Sequence, residues 1–232
     1  DKSNLKTLLQ TLKKNNIKII SSGGTFDKIK KLKFKCIEIS KFTGSKEILG
    51  GRVKTLHPKI HAGILNKRDD KSHQKDLKIN NFENIDLVII NFYPFQQTLK
   101  KTSNQNKIIE NIDIGGPTMA RAAAKNYNDV TIITSINQYS ELISQLKTYK
   151  GSTTQEFRKK MSQEAFSETA CYDSAISNYF NKMSNIRFPQ KKIIQGNLIE
   201  KLRYGENPHQ ESAIYSERSN IQINKIHGKE LS

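Results

Sequence analysis

Apolar side chains along the chain alternate between two spacings. Leu5, Leu8, Leu9 and Leu12 recur at helical intervals, with Ser3 or Asn4 as N-cap, and Ile17-Lys18-Ile19-Ile20 follows as an apolar run of strand length. Ser21-Ser22-Gly23-Gly24-Thr25 interrupts the pattern, and a Lys-rich helix is predicted from about Phe26. Phe34 to Ile39 reads as a second strand and residues 50–63 as an ordered loop leading into a helix. Leu87-Val88-Ile89-Ile90-Asn91-Phe92 is the strongest strand pattern, ended by Tyr93-Pro94. Ile112 to Gly116 predicts a turn, and Pro117 suits the first turn of a helix running through Ala120 to Lys125. Val130-Thr131-Ile132-Ile133 is a further strand.

Nearly all-apolar strands alternating with helices predict an α/β domain whose parallel sheet is covered on both faces. From Ser152 to Phe180 the pattern is purely helical, with Phe157, Met161, Phe166, Tyr172, Ile176 and Phe180 as core candidates. Past Met183 the chain turns to Asn, Arg, Pro, Gln and Lys. The predicted organisation is a domain over 1–183, a linker over 184–201 and the first strands of a second, incomplete domain over 202–232, a stretch too short for a core of its own.

Composition narrows the function. The formal net charge of +17 raises nucleic-acid binding as a hypothesis. The cations are mostly scattered Lys, however, with no basic block interleaved with aromatics, so a basic RNA-binding module is the weaker reading. Cys36 and Cys171 stand far apart, which gives neither metal spacing nor a disulfide framework and fits a reducing, cytoplasmic setting. No apolar run approaches the ~20 residues that span a membrane, and no membrane partner is expected. The chain opens on Asp1-Lys2-Ser3-Asn4 without a signal peptide and enters a helical pattern at once, so a preceding N-terminal piece is expected.

Five places in the chain carry candidate chemistry. Gly50-Gly51-Arg52-Val53-Lys54-Thr55-Leu56-His57-Pro58 packs two cations, a hydroxyl and an imidazole behind glycines; it is either an anion-binding loop or a basic surface turn. Ser21 to Thr25, between strand and helix, has the form of a phosphate cradle, or is an ordinary turn. Tyr93, just past a strand, is either a core phenol or a site residue, and Asp113 either caps the following helix or acts in catalysis. Lys125 ends an Ala-rich helix, where a helix-dipole partner is the ordinary reading. His57 and His61 lack a third ligand and a zincin-like Glu, so hydrogen bonding is favoured over metal.

Gly51 to Pro58, with His61-Ala62-Gly63-Ile64-Leu65, closely resembles the N-terminal half of the bifunctional purine-biosynthesis family that joins IMP cyclohydrolase to AICAR transformylase. The resemblance continues in order through Ser22-Gly23-Gly24-Thr25, Asn91 to Phe95, Asn111 to Thr118, Arg121 to Asn126 and Tyr172-Asp173, and reaches Leu202-Arg203-Tyr204-Gly205-Glu206-Asn207-Pro208-His209-Gln210. It implies a methylglyoxal-synthase-like α/β fold and closure of formyl-AICAR to IMP with loss of water, without metal or cofactor. It also implies a homodimer with no nucleic-acid partner. Carried over residue by residue, it places Lys54, Tyr93, Asp113 and Lys125 around the reacting groups and Lys2, Ser22, Gly24 and Thr25 at the 5′-phosphate. Arg52, Thr55, Gly115 and Gly116 would line the nucleotide, and Arg203 and Tyr204 would begin the AICAR site of the second domain.

Two departures accompany the resemblance. The family has a short strand and a Ser-containing turn before the position of Asp1. Its transformylase Lys-His pair lies beyond Ser232, so formyl transfer from 10-formyltetrahydrofolate is not expected of these residues. Within the fold, the alternatives are a methylglyoxal-synthase-type phosphate lyase or an allosteric phosphate-binding domain; neither accounts for the 52–58, 91–95 and 203–210 motifs together.

Overall fold

The computed structural model describes residues 3–217, so Lys2 and residues 218–232 lie outside the described residues. The chain forms two compact units, residues 1–170 and 171–232.

In the first unit, α1 (Leu5–Lys14) buries Leu5, Leu8, Leu9 and Leu12 along one face, as its spacing predicts. Its N-cap is Asn4 in a left-handed conformation, and the Asn4 side chain makes no capping bond. Next come β1 (Ile20–Ser21), α2 (Gly23–Lys31), β2 (Ile37–Glu38) and α3 (Ile39–Thr43). Helix α2 begins at Gly23 rather than near Phe26: both glycines belong to its first turn, and Gly23 takes φ +50°, which glycine adopts without steric cost. After a turn around Leu49–Gly51 come α4 (Pro58–Leu65), α5 (Lys71–Ile79), β3 (Leu87–Ile89), α6 (Phe95–Lys101) and α7 (Gln105–Glu110). The unit continues with α8 (Gly115–Lys125), β4 (Thr131–Ile133), α9 (Tyr139–Thr148) and the start of α10 (Gln155–Met183).

The strands are parallel, as expected, but shorter than their apolar runs, and they form two separate pairs. Ile20 faces Ile37 across β1–β2, and Leu87, Val88 and Ile89 face Thr131, Ile132 and Ile133 across β3–β4. Among the described residues β1 and β3 are not paired with each other. A cleft of about 1250 Å³ runs between them, its floor lined by Ile17, Ile20, Leu87, Val88 and Ile89. Strand β4 is fully buried, whereas β1 and β2 are only half-covered. The core gathers Leu8, Leu12, Ile60, Ile64, Val88, Ile132, Ile133, Leu142, Phe157 and Met161.

Phe157 and Met161 take the core positions that their spacing predicts. Phe166 does not: it is exposed, and the Arg121 guanidinium lies over its ring at 5.6 Å. A cation on an aromatic face gives a large ring a reason to stay near the surface.

In the second unit, Tyr172 on α10 is buried and Phe180 is exposed, against the expectation that both are core. Phe180 sits edge-on to Tyr179 at 5.6 Å. Strands β5 (Asn197–Leu202) and β6 (Ser212–Ser216) pair antiparallel, with an irregularity between Leu198 and Glu200. Arg203 and Tyr204 follow β5 on the surface, ahead of a turn closed by Gly205 N–H donating to the Gln210 carbonyl at 2.7 Å.

Candidate active site

The cleft runs the length of β1 and β3, from Lys18 and Asp86 at their amino ends to Ser22 and Tyr93 beyond their carboxyl ends, and it is at the carboxyl ends that ligands sit in open parallel sheets. One wall grows from β1. Strand β1 feeds α2 through Ser22, whose backbone is extended and whose hydroxyl makes no capping bond. The first N–H groups of α2 are therefore left without that partner, and a helix start in this state favours an anion. Ser22 and Thr25 line the cleft; Gly24, in the same turn, is exposed and does not.

The loop before α4 completes this wall. Gly50 and Gly51 take φ +62° and +89°, which reverses the chain and brings Arg52, Lys54 and Thr55 to the cleft. His57 then caps α4, its Nδ1 accepting the Lys59 N–H at 3.1 Å, with Pro58 in the first turn. His61 points its Nε2 into the interior without a partner, and burial pushes its pKa down. Lys54 Nζ pairs with Glu47 at 2.8 Å, and Arg52 pairs with Glu110 at the end of α7. Glu38 also feels the Lys54 charge, although the Ser40 hydroxyl is the chief cause holding its carboxyl below the usual range.

The other wall grows from β3 and β4. Tyr93 stands just past β3, 56% exposed, on the cleft lining. Asp113 precedes α8: its Oδ1 accepts the Gly116 N–H at 2.8 Å and its Oδ2 accepts the Tyr93 N–H at 3.4 Å. Both readings of this residue thus have a physical basis, since the carboxyl ties down a helix start and also lines the cleft. Burial pushes the Asp113 pKa up, against the pull of the two backbone donors. A raised carboxyl pKa in a cleft is the usual setting for proton transfer. Gly115 lets the two walls close up, and Gly116 leaves room for the Asp113 carboxylate on its own wall. A methyl group on Gly115 would collide with Thr55 Oγ1, and one on Gly116 would press on the Asp113 carboxylate.

The structure therefore brings Ser22, Thr25, Arg52, Lys54, Thr55, Tyr93, Asp113, Gly115 and Gly116 to one cleft. It does not bring Lys125 there. Lys125 is exposed at the last residue of the 11-residue helix α8, about 15 Å along its axis from the end that meets the cleft. Lys2 lies outside the described residues, and Arg203 and Tyr204 belong to the other unit. Sequence reasoning missed Glu47 and Glu110, the partners of the two cleft cations. Glu47 stands in a loop that has no period to betray it, and Glu110 is 58 residues from Arg52, so only the fold brings that pair together. Among the described residues no three His, Cys, Asp or Glu side chains gather as a metal site, and no helix is long and apolar enough to cross a membrane.

Comparison with known proteins gives two consecutive family matches. Residues 4–118 match the MGS-like domain and residues 123–232 match the AICARFT/IMPCHase bienzyme. The chain is 48% identical over 226 residues to the bifunctional purine biosynthesis protein PurH of Prochlorococcus marinus subsp. pastoris, covering 96% of this chain and 43% of the relative. It is 42% identical to the PurH protein of Bradyrhizobium diazoefficiens, covering 100% of this chain and 44% of that protein. The chain thus spans less than half the length of these curated relatives. A crystal structure of ForH superposes with a TM-score of 0.69 at 27% identity, covering 78% of this chain and 94% of that one.

Proposed function

From membership of the bifunctional purine-biosynthesis family, to which this chain belongs through its MGS-like segment and the AICARFT/IMPCHase segment behind it, we propose that the cleft is an IMP cyclohydrolase site. The substrate is formyl-AICAR, a nucleotide monophosphate whose carboxamide nitrogen and formyl carbon lie in one molecule. The observation that carries the reading is that one cleft is lined by Lys54 and Thr55 from one wall and by Tyr93, Asp113 and Gly115-Gly116 from the other.

The roles follow from the chemistry. The 5′-phosphate lies at the start of α2, where Ser22, Thr25 and backbone N–H groups provide donors. Holding the carboxamide nitrogen against the formyl carbon supplies much of the acceleration, because the attack is intramolecular. An oxyanion develops on the former formyl oxygen, and the Lys54 ammonium and Tyr93 phenol oppose that charge. Asp113 exchanges a proton with the carboxamide nitrogen, a task suited to a carboxyl with an upward-shifted pKa. The oxyanion takes up the proton that Asp113 removed from the carboxamide nitrogen; the C–O bond then breaks, and the hydroxyl leaves as water with the formamido N–H proton as the ring C=N bond forms. Lys125 stays outside this group of residues.

The reading needs no metal or organic cofactor, so chelation leaves the rate unchanged. In the same reading residues 1–183 form the cyclohydrolase domain; the linker expected over 184–201 narrows to 184–196, because β5 already begins at Asn197, and a transformylase domain starts behind it. There Arg203 and Tyr204 make the first AICAR contacts, and 10-formyltetrahydrofolate is co-substrate of that domain alone. The decisive experiment supplies formyl-AICAR and follows IMP by ultraviolet absorbance. Formation above the uncatalysed rate supports the reading; an uncatalysed rate in a folded protein overturns it.

A further inference from the structure

Lys54 is held by a partner that the chemistry above does not use. Its Nζ lies 2.8 Å from Glu47 Oε2 and 3.8 Å from the point where a Cβ on Gly23 would stand, so the ammonium sits between the Glu47 carboxylate and the first turn of α2. Glu47 is itself constrained. Its carboxylate lies against the α-carbon of Gly51, where any side chain would run into it, and Gly51 holds φ +89°. The loop therefore closes on itself: the turn at Gly50-Gly51 brings Lys54 back toward Glu47, and the missing side chain at 51 leaves room for the carboxylate.

We propose that Glu47 is a positioning residue for the ring-closing reaction, fixing the Lys54 ammonium where the oxyanion will form. The role rests on the cyclohydrolase reading for what Lys54 does. A free lysine spreads over many rotamers on its four-carbon stem, whereas charge stabilisation is effective only when the donor is already in place. Lys54 is 21% exposed and Glu47 46% exposed, so the pair adds little to folding stability. Its contribution falls on turnover instead.

This separation makes the test. In the full chain, Glu47→Gln is expected to lower kcat about tenfold, the scale of a misplaced catalytic group, while KM and Tm hold. Glu47→Asp, with a shorter carboxylate, falls between the two. Added to Lys54→Ala, Glu47→Gln causes no further loss, because residues acting as one unit are not additive. Equal losses in kcat/KM through KM alone, or full additivity with Lys54→Ala, overturn the proposal. A second readout needs no activity: the rate at which an amine-acylating reagent modifies Lys54, mapped by mass spectrometry. Several-fold faster modification in Glu47→Gln supports the pairing, and an unchanged rate overturns it. Absence of IMP formation in the unaltered protein would instead count against the cyclohydrolase reading, leaving the modification experiment to judge the pair.

Discussion

The two walls of the cleft are built to different standards. The wall on β1–β2 rests on half-covered strands, and its cations are held by ion pairs that reach solvent, Lys54 to Glu47 and Arg52 to Glu110. The wall on β3–β4 rests on a strand with no exposed residue and on α8, whose Ala120, Ala123 and Ala124 are buried. Its acidic group accepts two backbone N–H bonds, from Tyr93 and Gly116. The contrast matches the tasks. In the proposed reading the cations that meet the nucleotide and its developing oxyanion remain partly hydrated, so their desolvation is not a standing cost. A proton-transfer carboxyl needs a dry, fixed place, and only the covered wall offers one.

The contrast can be broken in order of expected effect. Lys54→Ala is expected to cut turnover about 10³-fold, the scale of a lost oxyanion donor, with IMP affinity in titration calorimetry changed only a few-fold. Loss of affinity without loss of turnover would move Lys54 from the reacting centre to the phosphate. On stability, Ile132→Ala in the covered wall is expected to cost about 3 kcal/mol, and Ile20→Ala in the open wall about 1 kcal/mol, read from urea denaturation. Equal costs would mean that the walls are equally packed.

Asp113→Asn should lower turnover about 10²-fold, as removal of a general acid–base does. It should also change the pH dependence of stability. Burial raises the folded-state pKa of Asp113, so the contribution of its protonated form is complete below the ordinary carboxylate pKa and is lost as pH rises through the folded value. Relative to Asp113→Asn, the unaltered protein should therefore lose stability as pH climbs from about 3 to neutrality; thermal melts that keep a constant gap would contradict it. The smallest effect belongs to Thr25→Ala. Its hydroxyl would meet the phosphate equally in ground and transition states, so affinity falls about tenfold while kcat holds.

Much of this was legible in the chain. Apolar runs around Val88 and Ile132 announced buried parallel strands, and the glycine-led segment before Pro58 announced a loop that delivers Lys54 and Thr55. Asp113 could be picked out because glycines follow it, and two of its carboxyl contacts run to backbone N–H groups. What escaped has physical reasons. Tyr139, Leu142, Ile143 and Leu146 carry the helical spacing of α9, but the polar residues between them masked it. The start of α2 was misplaced because glycines at 23 and 24 argue locally against a helix, although a first turn tolerates them. Phe166 counted as core because periodicity sees only hydrophobicity; it cannot see the Arg121 guanidinium that takes its face.

The contact between Gly115 and Thr55 has a consequence for how this site can vary over time. The two residues stand on opposite walls, and the bare α-carbon of one meets the hydroxyl of the other. Any side chain gained at 115 requires a smaller residue at 55 or a wider mouth. A side chain at 115 is therefore expected only together with a smaller residue at 55 or a shift of the loop that carries it. One absent carbon atom thus links the histories of a loop and a helix start that lie far apart in the chain.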